Sequence, residues 1–220
     1  MEVGLAYLMG VQFPRNFESP YKAQNIFLFW RSWHITLYAF FRQYLYAPLM
    51  RLDIFKRHVG LAILIVFFLS ALWHGVGLGY IVWGLGHAAV MIAVYQLGRA
   101  GVISTKPSIG FRRYAAISFT FLCVTLLWIP FAINNMNYVG VYLGRLVSMT
   151  GGAERIHAAN WALFGVAAVI AFAFPNSHQI SLGGRRSWWL LPFAILVFAL
   201  ASPLAIGRLT PPPPFIYFQF

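Results

Sequence analysis

Residues 59–98 read VGLAILIVFFLSALWHGVGLGYIVWGLGHAAVMIAVYQLG, and this apolar stretch indicates the class of fold. No Asp, Glu, Lys or Arg interrupts it, and about 20 apolar residues suffice for one helical crossing of a bilayer. The stretch therefore predicts two crossings, joined by a tight glycine-rich hairpin at Gly75 to Gly79. Because the apolar residues are continuous rather than alternating, the crossings are predicted to be helices and not barrel strands.

Further apolar runs follow this stretch along the chain. Together they predict an all-α, polytopic transmembrane bundle with about five spans, at residues 59–78, 79–98, 114–133, 158–174 and 189–206. Residues 26–47, the aromatic segment, differ because they mix Trp, Phe and Tyr with basic residues. We predict that the aromatic segment lies partly buried among the spans or at the interface. The expected domain organisation is one transmembrane domain over the whole chain, made of a motif region, trailing helices and a proline-rich tail, at residues 14–90, 114–206 and 207–220.

Composition excludes a soluble domain. Of the 220 residues, 60% are hydrophobic and 9% are charged, whereas soluble domains carry about 25% charged residues. The net charge of +12 could indicate nucleic acid binding, but the basic clusters at residues 51–57, 99–113 and 185–186 are separated by even numbers of predicted crossings. They therefore share one side, which the positive-inside rule assigns to the cytoplasm. We predict a lipid bilayer as partner and no nucleic acid.

Cysteine content and the start of the chain remove two further classes. Cys123 is the only cysteine and lies in an apolar run, so an intrachain disulfide and a thiolate metal cluster are excluded and no metal site is predicted. Residues 1–14 lack the basic leader of a signal peptide. Insertion is therefore expected to depend on the internal spans.

Ionisable residues at membrane depth need either a partner or a function. Arg31, His34, Tyr38 and Arg42 fall near one face at helical spacing. His74 and His87 lie within the two crossings predicted at residues 59–98. A neutral imidazole can accept a proton from a hydroxyl nucleophile, and a second group can stabilise the oxyanion of an acyl transfer.

Each histidine also has a plainer interpretation. A histidine in a membrane helix can simply hydrogen-bond to a neighbouring helix, and residue types alone support His34 and His74 as catalytic only weakly. The glycines at positions 84 and 86 indicate that something packs closely beside His87 without saying what. Paired histidines could also hold a haem group in a membrane electron carrier.

The motifs taken together resemble the signature of the membrane-bound O-acyltransferase family. The resemblance rests on a first group of residues and, about forty residues after His34, a second: Asn16-Phe17, Pro20-Tyr21, Asn25, Phe29-Trp30-Arg31, Trp33-His34-Ile35, Arg42, Tyr44-Leu45-Tyr46 and Pro48-Leu49, then Leu72-Trp73-His74-Gly75 with Trp83 and His87. The likeness is greatest to the bacterial branch with the alginate O-acetyltransferases and the teichoic-acid D-alanylation protein.

The resemblance implies roles for particular residues. It makes His74 the essential catalytic residue of the Trp-His-Gly motif, and it makes His34 a second residue that shapes the site. Supporting or substrate-binding positions would then be Trp30, Arg31, Trp33, Tyr38, Arg42, Trp73 and His87. The family usually has an aspartate where this chain has Gln43, which removes a charge from that position.

The resemblance also implies the reaction and its setting. It implies transfer of an acyl group, expected to be acetyl, from acetyl-CoA or another acyl thioester to a hydroxyl of a polysaccharide such as alginate. No permanently bound cofactor is expected, and periplasmic O-acetylation proteins are expected partners in a bacterial inner membrane. The likeness begins almost at Met1, in what is usually the middle of a protein about twice this size. A non-catalytic membrane subunit or an inactive fragment is therefore the alternative.

Overall fold

The structure is a computed structural model that describes residues 6, 9–148, 158–176 and 179, without the side chains of residues 158–160. Contacts divide the chain into two compact units, Met1–Phe172 and Ala173–Phe220. The span predicted at residues 189–206 and the proline-rich tail lie outside the described residues. Those two predictions, and the prediction of a single domain, therefore stay predictions.

The described chain is helical, as predicted. Short elements come first: a 3-10 turn Pro20–Lys22, helices α1 (Ile26–Ser32) and α2 (Ile35–Phe41), a π-helix Arg42–Tyr46, a turn of α-helix Ala47–Leu49 and α3 (Asp53–Arg57). Long helices follow: α4 (Val59–His74), α5 (Leu78–Arg99), α6 (Phe111–Ile133), α7 (Met136–Ser148) and α8 (Ala158–Ala173).

Helices α4 and α5 form the predicted hairpin. Gly75 ends α4 with a φ of 137°, a backbone conformation that residues with a Cβ rarely adopt. The two helices pack closely at Gly84, where an added Cβ would lie 2.7 Å from the Cβ of Ala71 and 2.7 Å from the carbonyl oxygen of Phe67. The glycine at position 84 therefore sets how near α5 can come to α4.

Helix α6 packs along the other side of α5. An added Cβ at Gly86 would collide with the side chain of Leu127 in α6. Where α6 ends and α5 begins, the side-chain oxygen of Asn134 accepts a hydrogen bond from the backbone N–H of Gly79 at 3.1 Å. The close packing expected beside His87 is therefore confirmed, and its partners are α4 on one side and α6 on the other.

Helices α5 and α6, with 22 and 23 residues, have the length and apolar composition to cross a membrane. Helices α4 and α8 are apolar but have 16 residues each, or about 24 Å of rise against about 30 Å of hydrocarbon. The predicted span at residues 59–78 was too long, because Gly75 ends α4 early.

Among the long described helices, α7 was not predicted. Residues 114–144 look like a single apolar run, but Asn134 has a left-handed conformation with φ 49° and ends α6. Helix α7 follows as a separate 13-residue element in which Val139 is buried and most other residues are exposed. Asparagine tolerates left-handed backbone better than other residues with a side chain, so Asn134 was the available signal.

Basic residues gather where α4 begins, α5 ends and α6 begins, and we call this the basic end. The antiparallel packing of α4, α5 and α6 brings these positions together: Arg51, Lys56, Arg57, Arg99, Lys106, Arg112 and Arg113. The predicted shared side of these clusters is thus confirmed for the described helices.

Candidate active site

The aromatic segment starts at the basic end. The Asn25 side chain caps α1 by accepting the Leu28 N–H at 2.9 Å, and it donates to the carbonyl of Thr105 at 3.1 Å. Beside it, the side-chain oxygen of Gln24 accepts the N–H of Ser108 at 2.7 Å and its hydroxyl at 2.9 Å. These bonds fix the start of α1 against the loop between α5 and α6.

The aromatic segment reverses direction at His34. His34 lies between α1 and α2 with φ 46° and ψ 56°, a left-handed conformation that disfavours most residues with a side chain. Its neighbour Ile35 donates its N–H to the backbone carbonyl of Asn16 at 2.9 Å. The Asn16 side chain accepts the N–H and the hydroxyl of Thr36 at 3.1 and 2.6 Å, so the preceding loop holds the break.

A π-helix carries the returning chain toward the basic end. It spans Arg42–Tyr46 and continues α2 without a break in the backbone conformation. Single π-turns are rare in proteins, and those that occur are often found at functional sites. The residues after it, Ala47, Met50 and Arg51, line the same cavity as Val59 at the start of α4 and Tyr95 near the end of α5. The aromatic segment therefore enters and leaves at one end of the bundle.

A cavity of about 630 Å³, the main cavity, lies between the aromatic segment and helices α4 and α5. The face predicted from helical spacing lines it, although a break at His34 replaces the continuous helix that the spacing suggests. From that face come four residues: Arg31, His34, Tyr38 and Arg42. Trp30 also lines the main cavity, and no Asp or Glu is among the described residues of its wall.

His74 lies among aromatic rings at the end of α4, one turn beyond Ser70, which lines the main cavity; neither His74 nor Trp73 is itself a lining residue. The His74 ring centroid is 4.7 Å from that of Trp73, 5.2 Å from Trp83 and 4.9 Å from Phe131. The Trp73 ring also contacts His34, with 6.5 Å between centroids. The structure thus brings both candidate histidines to one indole ring.

The His34 imidazole is half-buried, and its Nδ1 atom is buried without a hydrogen-bond partner among the described residues. Burial lowers the pKa of His34 below the usual 6.5, so the ring is mainly neutral at pH 7. A neutral ring has one nitrogen that accepts a proton and one that donates. His34 can therefore hydrogen-bond a polar group that enters the main cavity.

His87 and Trp33 lie away from the main cavity. The His87 ring is fully buried, with centroids 5.0 Å from Trp30 and 5.2 Å from Trp83, and neither of its nitrogens has a described hydrogen-bond partner. Trp33 stacks on Phe29 at 5.6 Å and packs against α6. Both were predicted as supporting residues, and the structure places both among packed aromatic side chains rather than in the wall of the main cavity.

Several polar residues in the wall of the main cavity were not predicted as site residues, although Tyr46 belongs to one of the motifs. Ser70 is the one serine of α4, and its spacing of four from His74 could have indicated a shared face. Tyr46 and Arg51 follow from the returning path of the aromatic segment, which the sequence did not predict. Tyr95 comes from α5, 48 residues after the aromatic segment ends at residue 47, and no local pattern marks it.

Comparison with known proteins identifies the family of this chain. The membrane-bound O-acyltransferase family (MBOAT) matches residues 1–140. A peptidoglycan O-acetyltransferase of Helicobacter pylori is 34% identical over 69% of this chain and 28% of its own length. A probable alginate O-acetylase of Pseudomonas syringae is 36% identical over 67% of this chain and 27% of its own length.

A more distant relative is the teichoic acid D-alanyltransferase of Bacillus subtilis, 33% identical over 40% of this chain and 24% of its own length. The chain thus spans less than a third of the length of these relatives. The matched region contains the aromatic segment, α4, α5 and α6, which together form the main cavity and the surroundings of both histidines.

Proposed function

The chain belongs to the membrane-bound O-acyltransferase family, and we propose that it supplies the catalytic core for O-acylation of a cell-surface or extracellular polysaccharide. An acetyl group is the proposed cargo, because the relatives with the greatest coverage of this chain are named as O-acetylating proteins for peptidoglycan and alginate. The proposed setting is the bacterial inner membrane, with periplasmic O-acetylation proteins as partners.

The observation that carries this proposal is that His34, which lines the main cavity, and His74 both lie against the Trp73 ring. His74 takes the proton of the acceptor hydroxyl as that oxygen attacks the thioester carbonyl. The tetrahedral intermediate then collapses, the C–S bond breaks, and the proton on His74 passes to the leaving thiolate. His34 orients the reacting groups through its ring nitrogens.

Charge in the main cavity supports an anionic acyl donor such as acetyl-CoA. Arg31, Arg42 and Arg51 line the wall, and guanidinium groups bind phosphate in a bidentate way. Arg31 and Arg42 are also the candidates for stabilising the oxyanion, as is the ring of His34. The donor is a substrate in this proposal, and the chain needs no permanently bound cofactor.

The test is His74→Ala introduced at the native chromosomal locus. Loss of a general base lowers transfer by about 100-fold or more, so alkali-labile acetate on the surface polysaccharide falls to background. The control is Asn137→Ala, in an exposed position of α7 whose side chain makes no described hydrogen bond, with both proteins quantified in membranes. Normal acetate in a well-expressed His74→Ala strain would support the non-catalytic subunit instead.

A further inference from the structure

A second hollow, the basic groove, lies at the basic end between the start of α4 and the last turns of α5. It has a volume of about 430 Å³. Four of its lining residues are polar or charged: Arg57, His58, Gln96 and Arg99. Apolar side chains and one aromatic ring line the rest: Val59, Leu61, Leu64, Ile92 and Tyr95. The groove therefore combines cations with an aliphatic wall.

The two arginines of the basic groove have no carboxylate partner among the described residues. Asp53 pairs with Lys56 at 2.7 Å, and Glu18 pairs with Arg15 at 2.9 Å. Arg57 and Arg99 are exposed, and the described contact of Arg99 is with the Tyr95 ring at 5.9 Å. An anion can reach both guanidinium groups from the side of the groove.

The aliphatic wall continues from the groove along α4. Leu61, Leu64 and Phe68 are spaced by three and four residues and are 40, 38 and 39% exposed. This spacing places them on one stripe of the helix surface. The stripe runs from the arginines toward the membrane interior, in the direction that an acyl chain takes below its headgroup.

We propose that the basic groove binds an anionic phospholipid of the cytoplasmic leaflet, such as phosphatidylglycerol. Its phosphate lies on Arg57 and Arg99, and one acyl chain follows Leu61 and Leu64. Basic pockets between transmembrane helices bind anionic headgroups in this way, and each nearby basic residue strengthens the attraction. The proposal rests on the membrane placement of the chain and is independent of the acyl-transfer proposal.

The test measures lipid retention by the purified chain in native mass spectrometry, with phosphatidylglycerol or phosphatidylcholine added to detergent micelles. Phosphatidylglycerol stays bound to the parent protein, and Arg57→Gln/Arg99→Gln lowers its retention about tenfold. The matched control is Arg112→Gln/Arg113→Gln, which removes the same charge at the same end but outside the groove, and it changes retention less than twofold. Equal loss in both double variants would refute a built site.

Two further arms separate a lipid from a free phosphate. Leu64→Gln, at an exposed position of the wall, weakens phosphatidylglycerol retention, and millimolar glycerol phosphate does not displace the lipid. Displacement by glycerol phosphate, or retention unchanged in Leu64→Gln, would overturn the lipid proposal in favour of a soluble anion. Arg57→Lys/Arg99→Lys keeps the charge and retains partial binding. Thermal unfolding of every variant checks that the fold persists.

Discussion

The α4–α5 hairpin and the aromatic segment each contribute one candidate histidine, by opposite structural means. The hairpin is regular, and Gly84 lets its two helices approach closely, so His74 stands at the end of a rigid pair. The aromatic segment breaks its helical conformation at His34 and changes its hydrogen-bond pattern at the π-helix, and it lines the main cavity along its length. The candidate site thus combines one histidine at the end of a rigid helix pair with another whose position depends on an irregular segment held by the preceding loop.

The hairpin should tolerate the least change, so Gly84→Val is the substitution with the largest expected effect on stability. Its branched side chain meets Ala71 and the Phe67 backbone, and overpacking of this kind costs about 1–3 kcal/mol in the free energy of unfolding. Thermal unfolding of the purified chain in detergent measures the loss. The neighbouring Leu85, 37% exposed, serves as control in the form Leu85→Val. Similar melting of the two variants would show that α4 and α5 are not rigidly packed.

His34 allows the backbone and imidazole contributions of the aromatic segment to be separated. Asparagine accepts left-handed backbone, whereas alanine loses about 1 kcal/mol or more there. His34→Asn therefore keeps the unfolding temperature of the parent but transfers fewer acyl groups, and His34→Ala loses both stability and transfer. Melting curves and polysaccharide acetate content distinguish the two. Equal melting of both variants would contradict the importance of the left-handed break.

Asn134 gives the smallest expected effect, because it connects the hairpin to α6 through a single described hydrogen bond. Asn134→Gly preserves the left-handed end of α6 but removes the acceptor for the Gly79 N–H, at a cost of about 1 kcal/mol. Amide hydrogen exchange at Gly79 should accelerate, while exchange in the middle of α5 stays slow. Asn137→Ala is the control, and unchanged exchange at Gly79 would argue against this connection.

The hairpin could be predicted because its signal is local. Continuous apolar residues indicate a membrane helix, and the glycine-rich stretch from Gly75 to Gly79 indicates the turn. The broken path of the aromatic segment could not be predicted, since the bonds that hold it join Asn16 to Thr36 across twenty residues. Helix α7 was missed for a related reason: the apolar run continues through Asn134, and one backbone conformation divides it.

The site was predicted in part because helical spacing, like a continuous apolar run, is a local signal in the sequence. Helical spacing grouped Arg31, His34, Tyr38 and Arg42, and all four line the main cavity because each half of the broken segment stays helical. The glycines near His87 correctly indicated close packing. Spacing within one segment could not reveal Tyr95, which reaches the main cavity from a helix distant in sequence. Catalytic roles for His34 and His74 stay predictions until the variants are measured.

The acid-poor wall of the main cavity has a consequence for the solution around the protein. Arg31, Arg42 and Arg51 line it without a described carboxylate to neutralise them, so the balancing charge has to come from dissolved ions or from the visiting molecule itself. Small electrolyte anions will then compete with an anionic ligand for the arginines and screen its attraction to them. The Debye length falls from about 10 Å at 0.1 M salt to about 3 Å at 1 M. Occupancy of the wall is thus set partly by the ionic strength of the compartment that it faces.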